Sequence, residues 1–261
     1  MNKYAFAAQH GLASLVGWVR TSFSNPGFAL TLLHRRWDYF SRRKFDCPLI
    51  TPDKFLLDTP DALVSYWSMF VEQELHCRKW VEPLKAAAQP LVVDVGANVG
   101  LFSHLVFCIN SRAEMIAFEP LPALYQKLEM LRQRTGIKLD IRAKAVGRKP
   151  GEALLESPHG YDGVSRICVS ERSEGQTYRV EVTALDKELA GREILLMKID
   201  VEGYECEVIA GAMQTLSRTR FLIVEAHTVE HRDAITSALG PGWTRRKLGS
   251  SDYLFCRQSP N

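Results

Sequence analysis

The stretch "VVDVGANVGLFS", Val92 to Ser103, joins an apolar run to a turn containing two glycines and then to a helical pattern. Gly96 allows a tight turn, and Gly100 allows a close approach of the backbone to a ligand. The free amides at the start of the following helix can receive an anion. A buried strand that turns through glycine into a helix is the first unit of a doubly wound α/β fold, so this stretch predicts the fold.

The spacing of the glycines separates two kinds of nucleotide site. A dinucleotide fingerprint, Gly-x-Gly-x-x-Gly, would need glycine where the chain has Asn98 and Leu101. The pattern Asp-x-Gly-x-Gly-x-Gly, used by enzymes that bind S-adenosylmethionine, matches at Asp94, Gly96 and Gly100. Asn98 takes the place of the middle glycine, and asparagine tolerates the left-handed backbone region. The turn therefore favours S-adenosylmethionine over a nicotinamide cofactor.

After Pro90, short runs of branched apolar residues alternate with helical patterns. Strands buried on both faces and separated by helices indicate a parallel sheet with right-handed crossovers. A final stretch, 243–258, predicts a hairpin that adds two antiparallel strands and brings the sheet to seven. The five parallel strands are expected in "LVVDV" (91–95), "EMIAFE" (114–119), "KLDIRAKAV" (138–146), "EILLMKID" (193–200) and "FLIVEAH" (221–227).

Composition excludes several classes of protein. The six cysteines have no close pair, which argues against a disulfide framework and a zinc knuckle and indicates free thiols in a reducing compartment. No run approaches the roughly 18 apolar residues of a membrane span, and no clear signal peptide is present. The net charge of +3 is too small to indicate a nucleic-acid partner. We therefore expect a soluble cytoplasmic protein.

The first 88 residues have helical apolar spacing and predict a helical N-terminal cap, which precedes an S-adenosylmethionine-binding α/β domain at 89–261. Residues 1–46 hold seven basic and two acidic residues. Within them "HRRWDYFSRRKF" (34–45) mixes arginines with aromatic residues, which could bind phosphates or a membrane surface. A helix that packs its aromatic residues and solvates its arginines is the commoner outcome. We expect at most weak membrane contact and no nucleic-acid partner.

The segment "MKIDVEG", Met197 to Gly203, places charges at the end of an apolar strand. The strand period of two puts Lys198 and Asp200 on one face. A lysine inside a parallel sheet is costly unless it is paired, so we expect it to meet carboxylates. In a doubly wound sheet Asp94, Asp200 and Glu225 end three neighbouring strands, at the crevice where such folds bind ligands. A buried ion pair without a chemical role is the structural alternative.

Two further features belong to the candidate site. Glu119 ends the second strand, where a carboxylate can accept hydrogen bonds from ribose hydroxyls; the alternative is a helix-start residue beside Pro120. The long polar loop 157–177, with Tyr161 and Arg166, is a candidate acceptor-binding loop. These features place a cofactor pocket beside a variable binding loop.

After the fifth strand, "EAHTVEH" offers Glu225, His227 and His231. Glu225 or His227 is a candidate substrate contact or general base, with simple surface polarity as the alternative. Glu202, at the turn after the fourth strand, is a candidate substrate residue. Two histidines without a third ligand are weak grounds for a metal site, so no metal is predicted.

Taken together, these motifs resemble those of FkbM-type methyltransferases over about Pro90 to His227. The resemblance is strongest in "KIDVEGYE". It implies a class I, Rossmann-like S-adenosylmethionine-dependent fold and, usually, methylation of a hydroxyl on a sugar or polyketide-derived metabolite. The motifs that carry it are "VVDVGANVGLFS", "IAFEP", "KAVG" with the following "GE", "VTALD", "LLMKIDVEGYECEVIAGA" and "FLIVEAH".

The resemblance also implies roles for particular residues. Glu119 would hold the ribose, and Asp200 and Glu202 would border the transfer site. Related sequences often have an acidic residue after "AV", where this chain has Gly147 and Arg148. The cofactor loop would comprise Asp94, Gly96, Asn98 and Gly100, with Ala145 and Val146 near the adenine.

The sequence thus predicts an S-adenosylmethionine-dependent O-methyltransferase with a small-molecule or glycan acceptor. We hypothesise that Asp200, with Glu225 or His227 nearby, orients and deprotonates the acceptor hydroxyl while Lys198 fixes the carboxylate. A divalent metal bound by Asp200 and Glu225 is a lesser alternative.

Three different functions stay open at the level of sequence. An RNA methyltransferase is supported only by the basic N-terminal segment. A nicotinamide-dependent oxidoreductase is disfavoured by the broken dinucleotide fingerprint. A module that binds the cofactor without chemistry is disfavoured by the acidic residues at the strand ends.

Overall fold

A computed structural model describes residues 27–32, 49–157, 166–168 and 176–258. Contacts divide the chain into two compact units, Met1–His76 and Cys77–Asn261. The domain boundary expected at residue 88 remains a prediction. The basic, aromatic stretch 34–45 lies outside the described residues.

The first unit is mainly helical where it is described. A helical segment, α1, covers 27–32, and a short hairpin follows from β1 (Leu49–Ile50) and β2 (Leu56–Leu57). Helix α2 (Pro60–Tyr66) begins at Thr59, whose hydroxyl accepts a hydrogen bond from the Ala62 amide at 3.1 Å. The π-helical turn Trp67–Glu72 continues it. The hairpin was not predicted, because strands of two residues leave no alternation to detect.

The second unit is built on a seven-stranded sheet with the order β12-β13-β11-β10-β3-β4-β5. Neighbours from β11 to β5 are parallel, and β13 pairs antiparallel with both β11 and β12. This confirms the predicted doubly wound, mostly parallel sheet with an antiparallel C-terminal hairpin. Its strands are β3 (Leu91–Val95), β4 (Glu114–Phe118), β5 (Leu139–Arg142), β10 (Ile194–Ile199), β11 (Thr219–Glu225), β12 (Trp243–Lys247) and β13 (Asp252–Arg257).

A second sheet has the order β6-β9-β7-β8 and was not predicted as a sheet. Its strands are β6 (Ala145–Val146), β7 (Gly151–Ser157), β8 (Arg166–Cys168) and β9 (Gln176–Thr183). The single strand expected at 138–146 is wrong. The Lys144 amide donates to the Arg142 carbonyl at 2.8 Å, which turns the chain out of the main sheet, and Ala145–Val146 pair with β9 instead.

Helices alternate with the parallel strands of the main sheet along the chain, and β3 is buried along its whole length. The helical pattern of residues 204–218 forms two short helices, which are separated at Gly211. A β-carbon there would lie 2.1 Å from the Gly147 carbonyl oxygen, so the close approach of another loop ends the first helix. The helices are α3 (Arg78–Ala86), α4 (Leu101–Ile109), α5 (Pro122–Thr135), α6 (Leu185–Glu188), α7 (Glu205–Ala210), α8 (Met213–Leu216) and α9 (Val229–Leu239).

None of the helices in the described residues is long and apolar enough to cross a membrane.

The crevice forms where the ends of β3 and β10 meet. The Asp200 amide donates to the Val95 carbonyl at 3.0 Å, which extends the pairing of the two strands by one residue. Gly96 then turns away with φ of +79°, and a β-carbon on it would lie 1.8 Å from the Asp200 carbonyl oxygen. Glycine is therefore required here both by conformation and by space.

The substitution Gly96→Ala should destabilise the protein by more than about 4 kcal/mol, because a backbone oxygen cannot move aside as a flexible side chain can. Gly136→Ala is the matched control: Gly136 also has a positive φ, +73°, but has open space around its α-carbon. It should cost only about 1–2 kcal/mol of backbone strain. Urea unfolding of both variants measures the difference, and equal losses would contradict the steric argument.

Candidate active site

The turn after β3 is tied to the end of β4. The amides of Gly96 and Ala97 donate to the Phe118 carbonyl at 3.0 and 3.1 Å. Asn98 has φ of +52°, the left-handed conformation that was expected of it. Its amide donates to Glu119 Oε2 at 2.9 Å. The turn and the carboxylate therefore form one rigid unit.

Glu119 is buried, and its other oxygen accepts from the Leu121 amide at 3.0 Å, at the start of α5. Burial raises the pKa of Glu119 to about 7, although the two backbone hydrogen bonds oppose this rise. A carboxylate has about four acceptor positions, so two backbone bonds leave room for two hydroxyl donors. The helix-start role and the predicted ribose role are therefore compatible.

A cleft with about 720 Å³ of empty volume lies beside this unit. Seven predicted residues line it, together with Lys144, Leu155, Val201 and Tyr204, which were not predicted as site residues. Leu155 lies in β7 of the second sheet. The alternating pattern of that strand does not show by itself that the strand lies beside the cleft. The predicted residues in the lining are Gly96, Asn98, Glu119, Ala145, Val146, Asp200 and Glu202.

Two residues of the predicted cofactor loop lie behind the lining. Asp94 is buried and accepts a hydrogen bond from Ser103 Oγ at 2.7 Å, and burial raises its pKa. Gly100 faces α5, since a β-carbon there would lie 2.6 Å from Leu131 Cδ2. Asp94 and Gly100 therefore contact the protein interior and support the glycine turn on the side away from the cleft. The direct cofactor contact predicted for Asp94 and Gly100 remains a prediction.

Lys198 is buried beneath the cleft, and its Nζ lies 2.5 Å from Asp200 Oδ2. It stands beside Asp94 in the pairing of β10 with β3. Burial by itself would lower the pKa of Lys198, but the charges of Asp200, Asp252 and Asp94 outweigh burial and raise it. The ammonium is therefore the cation that neutralises this cluster of carboxylates, as the sequence predicted.

Glu225 contributes a carboxyl group that shares a hydrogen bond with Asp200. Burial, the charge of Asp200 and this hydrogen bond together raise the pKa of Glu225 to about 9. Burial opposes ionisation of Asp200 as well, but Lys198 and the hydrogen bond from Glu225 lower its pKa. At neutral pH the pair therefore holds one proton, on Glu225, and Asp200 is the ionised partner.

His227 joins the cluster from the solvent side. Its Nε2 lies 3.4 Å from Glu225 Oε2 and 3.8 Å from Glu202 Oε2, and its side chain is 52% exposed. Oxygen atoms of Asp200, Glu202 and Glu225 lie within 4.8 Å of one another, a grouping that could hold a metal ion. Asp200, however, already faces the Lys198 ammonium.

The second histidine belongs to a different contact. His231 Nε2 lies 3.0 Å from Glu205 Oε2, on the other side of the turn. Glu205 is buried, and its Oε1 accepts from the amides of Val201 and Gly203 at 3.0 and 3.1 Å. The two histidines therefore contact separate carboxylates rather than a shared ion.

Two predicted acceptor residues are not placed at the site. Tyr161 lies outside the described residues, and only the backbone of Arg166 is described, in β8. Arg148, which follows shortly after Ala145 and Val146, forms two hydrogen bonds with Glu207 at 3.0 and 2.9 Å. Ala145 and Val146 line the cleft, and Arg148 is not among the described residues that line it.

Comparison with known proteins gives a family match. A family model described as the methyltransferase FkbM domain matches residues 94–245. The hexuronic acid methyltransferase AglP of Haloferax volcanii is 28% identical over 148 residues, which cover 55% of this chain and 58% of that protein. The chain thus spans less than two thirds of that relative.

Two further proteins are similar to this chain. The 2-O-methyltransferase NoeI of Sinorhizobium fredii is 26% identical over 170 residues, covering 58% of this chain and 69% of NoeI. The N-terminal domain of human METTL16 is 12% identical, with a TM-score of 0.49 over 93% of this chain and 97% of that domain.

Replacing Lys198 by methionine should destabilise the protein by about 3–5 kcal/mol, because it leaves buried carboxylates without a cation. Without the lysine, the carboxyl groups that face it should have higher pKa values in the folded protein than in the unfolded chain. Between these two values the folded state binds more protons than the unfolded state. Stability relative to the unchanged protein should therefore be lost further as pH rises from 5 to 8. Exposed Lys187→Met is the control, expected within about 0.5 kcal/mol. Chemical unfolding at both pH values measures this, and a pH-independent loss would contradict it.

Proposed function

Because the chain belongs to the FkbM methyltransferase family, we propose that it transfers the methyl group of S-adenosylmethionine to a hydroxyl of a sugar or polyketide-type metabolite. One observation carries the proposal: the cleft has the glycine turn and Glu119 in its lining together with Asp200 and Glu202. The names of two relatives, a hexuronic acid methyltransferase and a 2-O-methyltransferase, support a sugar as acceptor.

The residues of the cleft fit the cofactor that the family implies. Glu119 would accept from the ribose hydroxyls, and the backbone at Gly96 and Asn98 would approach the cofactor closely. Ala145 and Val146 would line the adenine. When bound, S-adenosylmethionine supplies an electrophilic methyl group.

Asp200 is the best-placed acceptor for the hydroxyl proton. It lines the cleft, it is 28% exposed, and it is ionised at neutral pH. Glu225 already holds a proton at neutral pH and is a donor to Asp200. Lys198 fixes the orientation of the Asp200 carboxylate, so that its free lone pairs face the acceptor. Glu202 lies at the same rim and would contact the acceptor.

The hypothesis of a nicotinamide-dependent oxidoreductase is wrong, since the family is one of methyltransferases. An RNA acceptor rests only on the basic N-terminal segment, most of which lies outside the described residues. Cofactor binding without chemistry is distinguished from catalysis by measuring turnover.

Cofactor binding should become about tenfold tighter between pH 6 and pH 8. Ribose hydroxyls donate to the ionised form of Glu119, and a group with a pKa of about 7 is about one-tenth ionised at pH 6. Calorimetric titration with S-adenosylmethionine and S-adenosylhomocysteine measures the dissociation constants.

The variant Glu119→Gln is the control, because it shows any pH dependence that comes from ionisation of the ligand itself. It should bind S-adenosylmethionine more weakly and should lose the part of the pH dependence that is due to Glu119. NAD should not bind. Binding of NAD alone, or an unchanged affinity of the glutamine variant, would refute the assignment of the cleft.

Asp200→Asn should lower the rate of methyl transfer by about 10²–10⁴-fold while leaving the cofactor dissociation constant within a few-fold. Asparagine keeps the shape of the side chain but cannot take a proton. Release of S-adenosylhomocysteine with a panel of hydroxylated sugars and polyketides measures turnover. Asp233→Asn, on the exposed side of α9, is the control and should keep full activity. Full activity of Asp200→Asn would refute the proposed role.

A further inference from the structure

The C-terminal hairpin reaches the transfer site through one side chain. Ser251 lies in the turn between β12 and β13, and its hydroxyl donates to Glu225 Oε1 at 2.9 Å. Its carbonyl accepts from the Ala226 amide at 2.8 Å, next to the position where Asp252 pairs with Glu225. The backbone therefore fixes Ser251 independently of its hydroxyl.

The hydrogen bond from Ser251 holds one oxygen of the Glu225 carboxyl group. With Oε1 held by the hairpin, Oε2 lies 3.4 Å from His227 Nε2, and the carboxyl group also shares a hydrogen bond with Asp200. The terminal torsion of a glutamate has broad preferences and does not define one orientation by itself. Without the serine hydroxyl, the Glu225 carboxyl would lose one of its fixed partners.

Charged groups from several segments surround the Glu225 carboxyl group. Lys198 and Asp200 face it from β10, Asp252 from β13, and His227 from the segment that follows β11. Glu202 completes the set through its contact with His227. Lys198 keeps Asp200 ionised, so Asp200 accepts the hydrogen bond from protonated Glu225. On its other side Glu225 faces half-exposed His227, towards which a proton can leave.

We propose that Ser251 is a positioning residue of the methyl-transfer site, which holds Glu225 between Asp200 and His227 so that the acceptor proton can be passed to solvent. This inference rests on the proposed function. The acceptor hydroxyl would give its proton to Asp200 as its oxygen bonds to the methyl carbon. The bond between that carbon and the sulfonium sulfur breaks at the same time, and S-adenosylhomocysteine leaves. Asp200 and Glu225 then share two protons, one of which passes to His227 and to water, and the pair returns to holding one.

The kinetic test compares Ser251→Ala with Ser251→Thr. The alanine variant should lower kcat about tenfold, leave the dissociation constant of S-adenosylmethionine within about twofold, and move the alkaline limb of the pH–rate profile to higher pH. The direction follows because the hydroxyl stabilises ionised Glu225, so its loss raises that pKa further. Threonine keeps the hydroxyl and should restore the rate.

Thr244→Ala is the matched control within the same hairpin. Its hydroxyl donates to the Cys256 carbonyl at 3.3 Å, at the end of the hairpin away from Glu225. It should keep the rate and the pH profile of the unchanged protein. An unchanged kcat in Ser251→Ala, or an equal loss in Thr244→Ala, would overturn the proposal, as would a loss that threonine does not restore.

A second measurement does not depend on turnover. Carbon-13 labelling of glutamate side chains allows the titration of Glu225 to be followed by NMR, with Glu225→Gln to assign the signal. Its midpoint should rise in Ser251→Ala and stay unchanged in Thr244→Ala. An unchanged midpoint overturns the positioning role even if no acceptor is found. A raised midpoint together with absent cofactor binding would locate the error in the proposed function instead.

Discussion

The ammonium group of Lys198 lies among carboxylates from different strands of one sheet, and the arrangement of the site depends on it. Asp94 faces it from β3, Asp200 from the end of β10 and Asp252 from β13. Brought together without a cation, these acids would repel one another in a place with little water. With the lysine among them, Asp200 stays ionised at the crevice, and the carboxyl end of the sheet can carry several acidic groups.

A second constraint acts at the other side of the cleft. The amides of the glycine turn and of the start of α5 converge on Glu119, so that one buried carboxylate fixes the positions of two loops. Gly96 permits the turn to pass against the Asp200 backbone. The cofactor side and the transfer side are therefore linked by a direct backbone contact, which limits how far either can move without the other.

The small sheet gives the cleft its outer wall. Leu155 and Val180 pack with Leu121 and Leu124, next to the first turn of α5. Glu188 supports the crossover into this sheet, since it accepts from Arg142, Lys144 and Thr183 at 2.7, 3.1 and 2.8 Å. These contacts hold the segment around Arg142 and Lys144 against Glu188, and Ala145 and Val146 follow that segment at the cleft.

The sequence by itself determined the doubly wound sheet, its C-terminal hairpin, the glycine turn and the carboxylates at the strand ends. These features are local, since strand and helix periodicity, glycine spacing and a charge at the end of an apolar run are all visible within about ten residues. The tertiary structure decided how the run 138–146 divides between two sheets, because continuous apolar character does not show which strand is the partner. It also decided that Asp94 and Gly100 lie behind the cleft. His231 contacts Glu205, whereas His227 contacts Glu225, and Ser251 donates a hydrogen bond to Glu225. The contacts of His231 and Ser251 join residues distant in sequence, and only the packing of the strands brings their side chains within hydrogen-bonding distance.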